Sequence, residues 1–93
     1  MIMSFRDDRS RLLLDGLVPK TMPMVLAKVA RRKLEMIHAA KALNDLKSPR
    51  GNELHALNAD RAGQYSIRIN RQYRICFLWK EDGVYDVEIV DYH

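Results

Sequence analysis

The chain has a single cysteine, Cys76, so no disulfide can close within it and no cysteine-built metal site is available. A small chain without covalent staples suits a reducing compartment, and the expected location is the cytoplasm. Long hydrophobic runs are missing as well. The opening MIMSFRDDRSRLLLDG carries charges within its first turns and no apolar stretch of signal-peptide length. Nothing later reaches bilayer-spanning length, so neither secretion nor a membrane partner is expected. There is no internal repeat and no low-complexity tract. Acidic residues fall short of basic ones, 12 against 16, leaving a net charge of +4. That excess favours a polyanionic partner, because neutralising phosphates with Lys and Arg releases condensed counterions, but an acidic protein fits it equally. The position of the charges must decide.

What is present is an ordinary folding composition: 47% of residues are hydrophobic and 30% charged, far from the signature of disorder. At 93 residues a single domain, 1–93, is expected, with any site built on one core and its edges. MIMSF reads as a brief strand, followed by a helix with Asp7 and Asp8 in its first turn and Leu12, Leu13 and Leu14 as anchors. Pro23 is placed to be the first residue of a second helix. From Met24 to Leu43 the period is helical: Leu26, Val29, Ala30, Leu34, Ile37, Ala40 and Leu43 form an apolar stripe opposite Lys28, Arg31, Arg32, Glu35 and His38. SPRGN, residues 48 to 52, breaks the helical half.

After Gly63 the period changes to two. Tyr65, Ile67 and Ile69 alternate with Ser66 and Arg68, and Tyr73, Ile75, Phe77 and Trp79 with Arg74, Cys76 and Leu78. NRQ and KEDG connect these runs to each other and to VYDVEIV, where Tyr85, Val87 and Ile89 are expected on the apolar side. The predicted fold class is α+β: an antiparallel-rich sheet with N-terminal helices packed on one face.

Side-chain parity then sorts the sheet into a buried face and an open one. The open face carries Ser66, Arg68, Arg74, Glu88 and Tyr92. Taken alone, Arg68 and Glu88 read as the solvated side of a half-buried sheet. Arg74 differs: on a central strand, close to Tyr92 and His93, it makes a pocket suited to a phosphate, and it should favour the ionised form of a neighbouring Asp or Tyr. His55 is expected in the loop before the first hairpin. A base, a cation and an acid are what phosphodiester cleavage by a ribose 2′-hydroxyl requires, and His55, Arg74 and His93 supply those types without a metal or other cofactor. Elsewhere the plain readings hold: His38, Lys28, Arg31 and Arg32 as a solvated helix face, Cys76 as packing, Phe77 and Trp79 as core.

The segment GNELHALNADRAGQYSIRINRQYRICFLWKEDGVYDVEIVDYH resembles the HigB branch of the RelE/ParE toxin superfamily, above all in DRAGQYSIRIN, YRICFLW and VEIVDYH. The resemblance implies a RelE-like sheet of about four strands. It implies a toxin of a type II toxin–antitoxin module, a ribosome-dependent endoribonuclease cutting mRNA in the A site. Its implied partners are the 70S ribosome with its mRNA and a HigA-like helix-turn-helix antitoxin, through which alone it would meet operator DNA. The catalytic positions carried over are His55, Arg74, Asp91, Tyr92 and His93, with RNA contacts from Asn58, Arg61, Arg68 and Arg71. One departure stands out. Where the family frequently has Lys-Gly-Asp-Arg, this chain has Asn58, Ala59, Asp60 and Arg61, so a phosphate-contacting lysine is replaced by a neutral amide. The rival reading is a toxin that acts by binding, either on gyrase in the ParE manner or on ribosome assembly.

Overall fold

The computed structural model describes residues 1–92, and the expectation for His93 lies outside the described residues. Helix α1 (Asp8–Leu14) starts where Asp7, still extended, accepts the Ser10 amide at 2.9 Å. Asp7 is therefore the cap rather than a first-turn residue, and Asp8 alone occupies that turn. Helix α2 (Met24–Ala39) follows Pro23, which sits at the cap position just outside it. It buries Ala27, Ala30, Leu34 and Ile37, while Leu26 and Val29 are half-buried.

The helix ends at Ala39, short of the Leu43 that the apolar period suggests. The cause is local: Asp45 Oδ2 accepts the amides of Lys41 at 3.0 Å and Ala42 at 3.1 Å, which caps a separate 3-10 turn, Leu43–Lys47. Lys33, a charged residue outside the expected stripe, is also buried at 7% exposure.

Among the described residues the sheet has four antiparallel strands in the order β1 (His55–Ala56), β2 (Gln64–Arg68), β3 (Tyr73–Lys80) and β4 (Gly83–Asp91). The α+β layout is as expected, but its members differ. His55, read as a loop residue, belongs to β1 and pairs with Ser66. MIMSF contributes only two isolated parallel bridges to β4, Ile2 with Val84 and Phe5 with Val87.

Those bridges seal the outer edge of β4. Met3 N–H donates to Val84 O at 2.7 Å, Arg6 N–H to Val87 O at 2.8 Å, and Ile89 N–H to the Asp7 carboxylate at 2.9 Å. His38, expected to be merely solvated, takes part: its Nδ1 accepts the Ile2 amide at 3.1 Å. Gly83 is required where this segment crosses the last hairpin, because a Cβ there would meet the Met3 side chain and lie 3.1 Å from the Met1 carbonyl.

The alternation expected for β4 fails at one point. Cys76 pairs with Glu88 but Leu78 pairs with Tyr85, so an extra residue is inserted in β4, at Asp86 with φ 56°. The bulge puts Tyr85 on the open face, where its hydroxyl donates to Asp82 at 2.9 Å, and gives its expected core place to Val84. Downstream of it Val87, Glu88 and Ile89 keep the expected faces.

The core lies between that buried face and the helices. Ile67, Ile75, Phe77 and Val87 meet Leu13, Ala30, Leu34 and Ile37, all at or below 1% exposure. Each large side chain so enclosed contributes roughly 2 kcal/mol of burial. A closed apolar layer on one side leaves the other free for polar chemistry.

Candidate active site

The open face is organised around Arg74, which stands opposite Arg68 of β2 and Val90 of β4. Its guanidinium is held by neutral oxygens. Nε donates to Ser66 Oγ at 2.8 Å, and Nη2 donates to Ser66 O at 3.3 Å and to the Glu53 carbonyl. Among the described residues no carboxylate pairs with it, and Nη1 has no hydrogen-bond partner. The Tyr92 ring lies beside it, with its centroid 6.0 Å from Cζ.

Beyond the guanidinium opens a cleft of about 470 Å³ lined by Glu53, Arg68, Asn70, Arg71, Arg74 and Tyr92. Arg68, which alone reads as solvated surface, lines this cleft; its Nη1 pairs with Glu53 Oε2 at 3.4 Å. The loop that carries Asn70 and Arg71 is pinned by Asn70, whose Oδ1 accepts the amides of Gln72 at 2.9 Å and Tyr73 at 2.8 Å. Three arginines against one carboxylate make the cleft an anion site by charge, and guanidinium forks match phosphate oxygens.

The far end of the face is different. Arg61 Nη1 donates to Gln64 Oε1 at 3.0 Å and to Glu88 Oε2 at 3.1 Å, while Arg6 approaches the same Glu88 oxygen at 3.4 Å. Glu88 is only 15% exposed, so two cations converge on one largely buried carboxylate, which offsets the charge of one of them. Asn58 precedes the turn Ala59–Arg61 on the exposed side of this end. Ala59 adopts φ 57°, the left-handed region glycine favours, so the turn keeps that geometry with alanine in the glycine's place.

The expected site residues therefore come together unequally. Arg68, Arg71, Arg74 and Tyr92 share the cleft. His55 is on the same face as Ser66 but outside the cleft's lining, and it is exposed. Asp91 pairs with Tyr73, one position out of phase with Arg74 and Tyr92, and accepts from Gln72 Nε2 at 3.0 Å. Tyr92 is not pushed toward phenolate: burial, then its contact with Cys76, raise its pKa against the pull of Arg61 and Arg74. Tyr92 is thus a neutral phenol at pH 7. Cys76 lies beneath it, fully buried, its Sγ 3.7 Å from the hydroxyl, and burial raises the thiol too.

Three features had no expectation attached. Ser66 and the Glu53 carbonyl anchor Arg74; parity placed Ser66 on the correct face but gave it no role, and a carbonyl has no sequence signal. The third is Lys33, whose Nζ donates to the Oδ1 of fully buried Asn52. Desolvation, and then Arg32 and Arg68, lower the Lys33 pKa. Among the described residues no group of three His, Cys, Asp or Glu side chains is placed to hold a metal, and no helix is long and apolar enough to cross a membrane.

A small α+β domain with two helices and an antiparallel four-stranded sheet fits the RelE-like toxins. Over residues 3–93 the chain matches the family described as the RelE-like toxin of type II toxin–antitoxin system HigB. An uncharacterized protein of Haemophilus influenzae is 41% identical over 81 residues, covering 86% of this chain and 80% of that protein. Toxin HigB-1 of Vibrio cholerae serotype O1 is 42% identical over 65 residues, 70% of this chain and 67% of its own length. Endoribonuclease HigB of Proteus vulgaris is 29% identical over 93 residues, the whole of both chains. This chain belongs to the HigB-like toxins, and a toxin of a type II system implies an antitoxin partner.

Proposed function

We propose that this toxin is an endoribonuclease that cuts mRNA in the A site of the 70S ribosome and is neutralised by a HigA-like antitoxin. The observation that carries the reading is Arg74, a guanidinium held by neutral oxygens at the head of a cationic cleft, its charge available to a phosphate. The likeness to Endoribonuclease HigB supports it.

In the proposed reaction the ribose 2′-oxygen attacks the adjacent phosphorus and the bond to the 5′-oxygen breaks, leaving a 2′,3′-cyclic phosphate and a 5′-hydroxyl. Arg74 stabilises the charge growing on the phosphorane. The 2′-hydroxyl proton passes to His55 or Asp91, and His93 protonates the departing 5′-oxygen. Tyr92, neutral and half exposed at 48%, hydrogen-bonds or stacks on the substrate. Arg68 and Arg71 hold flanking phosphates, with Asn58 and Arg61 further along the face. The work is done in the cytoplasm, with operator DNA met only through the antitoxin.

The test is mRNA cleavage on purified 70S ribosomes, comparing the wild type with Arg74→Ala and with a chain lacking His93. Cleavage lost in both variants, with folded protein, is the expected result. An uncut message with the wild type would favour a toxin that acts by binding.

A further inference from the structure

We propose that Ser66 is a positioning residue for Arg74, one post of a two-post clamp whose other post is the Glu53 carbonyl. The proposal rests on the ribonuclease reading for what Arg74 does, and on the clamp's own geometry for how Arg74 is held. Arginine on a sheet face has four rotatable side-chain torsions, and a guanidinium free to sample them would spread its charge over many positions. Here two of its three nitrogens are occupied by oxygens that belong to rigid parts of the molecule.

The first post is built into the sheet. Ser66 pairs with His55 on one side and Cys76 on the other, and it is fully buried. It gives Arg74 two acceptors at once, Oγ to Nε at 2.8 Å and O to Nη2 at 3.3 Å. Both acceptors are uncharged. They fix the plane of the guanidinium without cancelling its charge; among the described residues Nη1 has no partner, which leaves it for a ligand.

The second post is built into the loop. Glu53 has φ 44°, and this left-handed residue directs its carbonyl to Arg74 Nη2. Its place is set from the core by Asn52, which is fully buried with its amide engaged on both sides. Nδ2 donates to Leu46 O and Ser48 O, both at 3.2 Å, and Oδ1 accepts from Lys33. The buried lysine, otherwise unexplained, thus braces the residue next to the clamp.

Two measurements on Ser66→Ala test this, with circular dichroism to verify folding. The first needs no RNA: the Nε–H resonance of Arg74 in the ¹⁵N spectrum of the free protein should be protected from exchange in the wild type and lost in Ser66→Ala. The second is a double-mutant cycle with Arg74→Lys, which has no Nε–H to donate to Ser66 Oγ. Ser66→Ala should lower cleavage about 10- to 100-fold beside Arg74, since small misplacements of a reacting group cost that much. Combined with Arg74→Lys it should add less than about twofold, as expected when two residues act through one interaction. An unchanged Nε–H signal, or an equal loss in both backgrounds, overturns the proposal. If the signal behaves as expected and the wild type cuts no message, the ribonuclease reading fails and the clamp stands.

Discussion

The two ends of the open face use the same residue type to opposite effect. At one end Arg61 and Arg6 share the largely buried Glu88, whose carboxylate offsets one of their two charges. At the other end Arg74 is fixed by a hydroxyl and two carbonyls, and its charge is kept. Number of hydrogen bonds does not separate them. What separates them is whether the acceptor is ionised: a carboxylate holds an arginine by neutralising it, whereas neutral oxygens hold it while leaving the field intact for an anion.

The sharpest way to break the contrast is to remove its charged member. Arg74→Ala should lower ribosome-dependent cleavage by about 10²- to 10³-fold, the range for loss of one transition-state donor, measured as kcat/KM on a defined message. Next comes the support beneath it. Asn52→Ala leaves the Lys33 cation and the Leu46 and Ser48 carbonyls without their partner and should destabilise the fold by about 3 kcal/mol in urea titration.

Lys33 also carries a pH signature. Its folded-state pKa lies below the ordinary 10.5, so between the two values the unfolded chain binds more protons and stability rises with pH. Cys76 and Tyr92, raised by burial, act in the opposite sense above their ordinary values of 9.0 and 10.0. The difference between wild type and Lys33→Met, followed from about pH 8 to pH 10.5, isolates the lysine: the rise should be present in the first and absent in the second.

The carboxylate-paired end can be converted toward the other. Glu88→Gln releases Arg61, and RNA affinity measured by fluorescence anisotropy against salt should steepen by about 0.7 in log–log slope, one added phosphate contact on a single strand. Asn58→Lys should do the same from the turn, with a smaller gain of about threefold in affinity at physiological salt, because the side chain is exposed and screened. No gain from Asn58→Lys in either binding or cleavage would mean that this turn lies outside the RNA path.

Much of this was legible in the sequence, for a simple reason. A pleat has period two, so Ile67, Ile75 and Phe77 announce the buried face and Ser66, Arg68 and Arg74 fall on the other without further information. The limits were equally physical. The bulge at Asp86 reverses parity for Tyr85 and Val84, and no glycine marks it. Strand β1, with two residues, is too short to alternate. The early stop of α2 depends on Asp45 capturing two amides behind it. Lys33 has a polar head on a long apolar stem and is buried only because Asn52, in the 3-10 turn Arg50–Asn52 and 19 positions away, offers its head an oxygen. Parity singled out Arg74 and the family resemblance gave it a role, but only the folded chain shows what holds it.

The sealed edge of β4 has a consequence of another kind. A strand at the border of a sheet presents a ladder of donors and acceptors that a second chain can read as a template. In this protein residues 1–9 have already read it, down to the Asp7 carboxylate on Ile89 N–H and the Arg9 guanidinium on Ile89 O at 3.1 Å. An incoming strand would first have to evict the molecule's own opening segment. Fraying of those few residues would bare that ladder for edge-to-edge pairing, so this border of the sheet is guarded by residues that do not line the cleft.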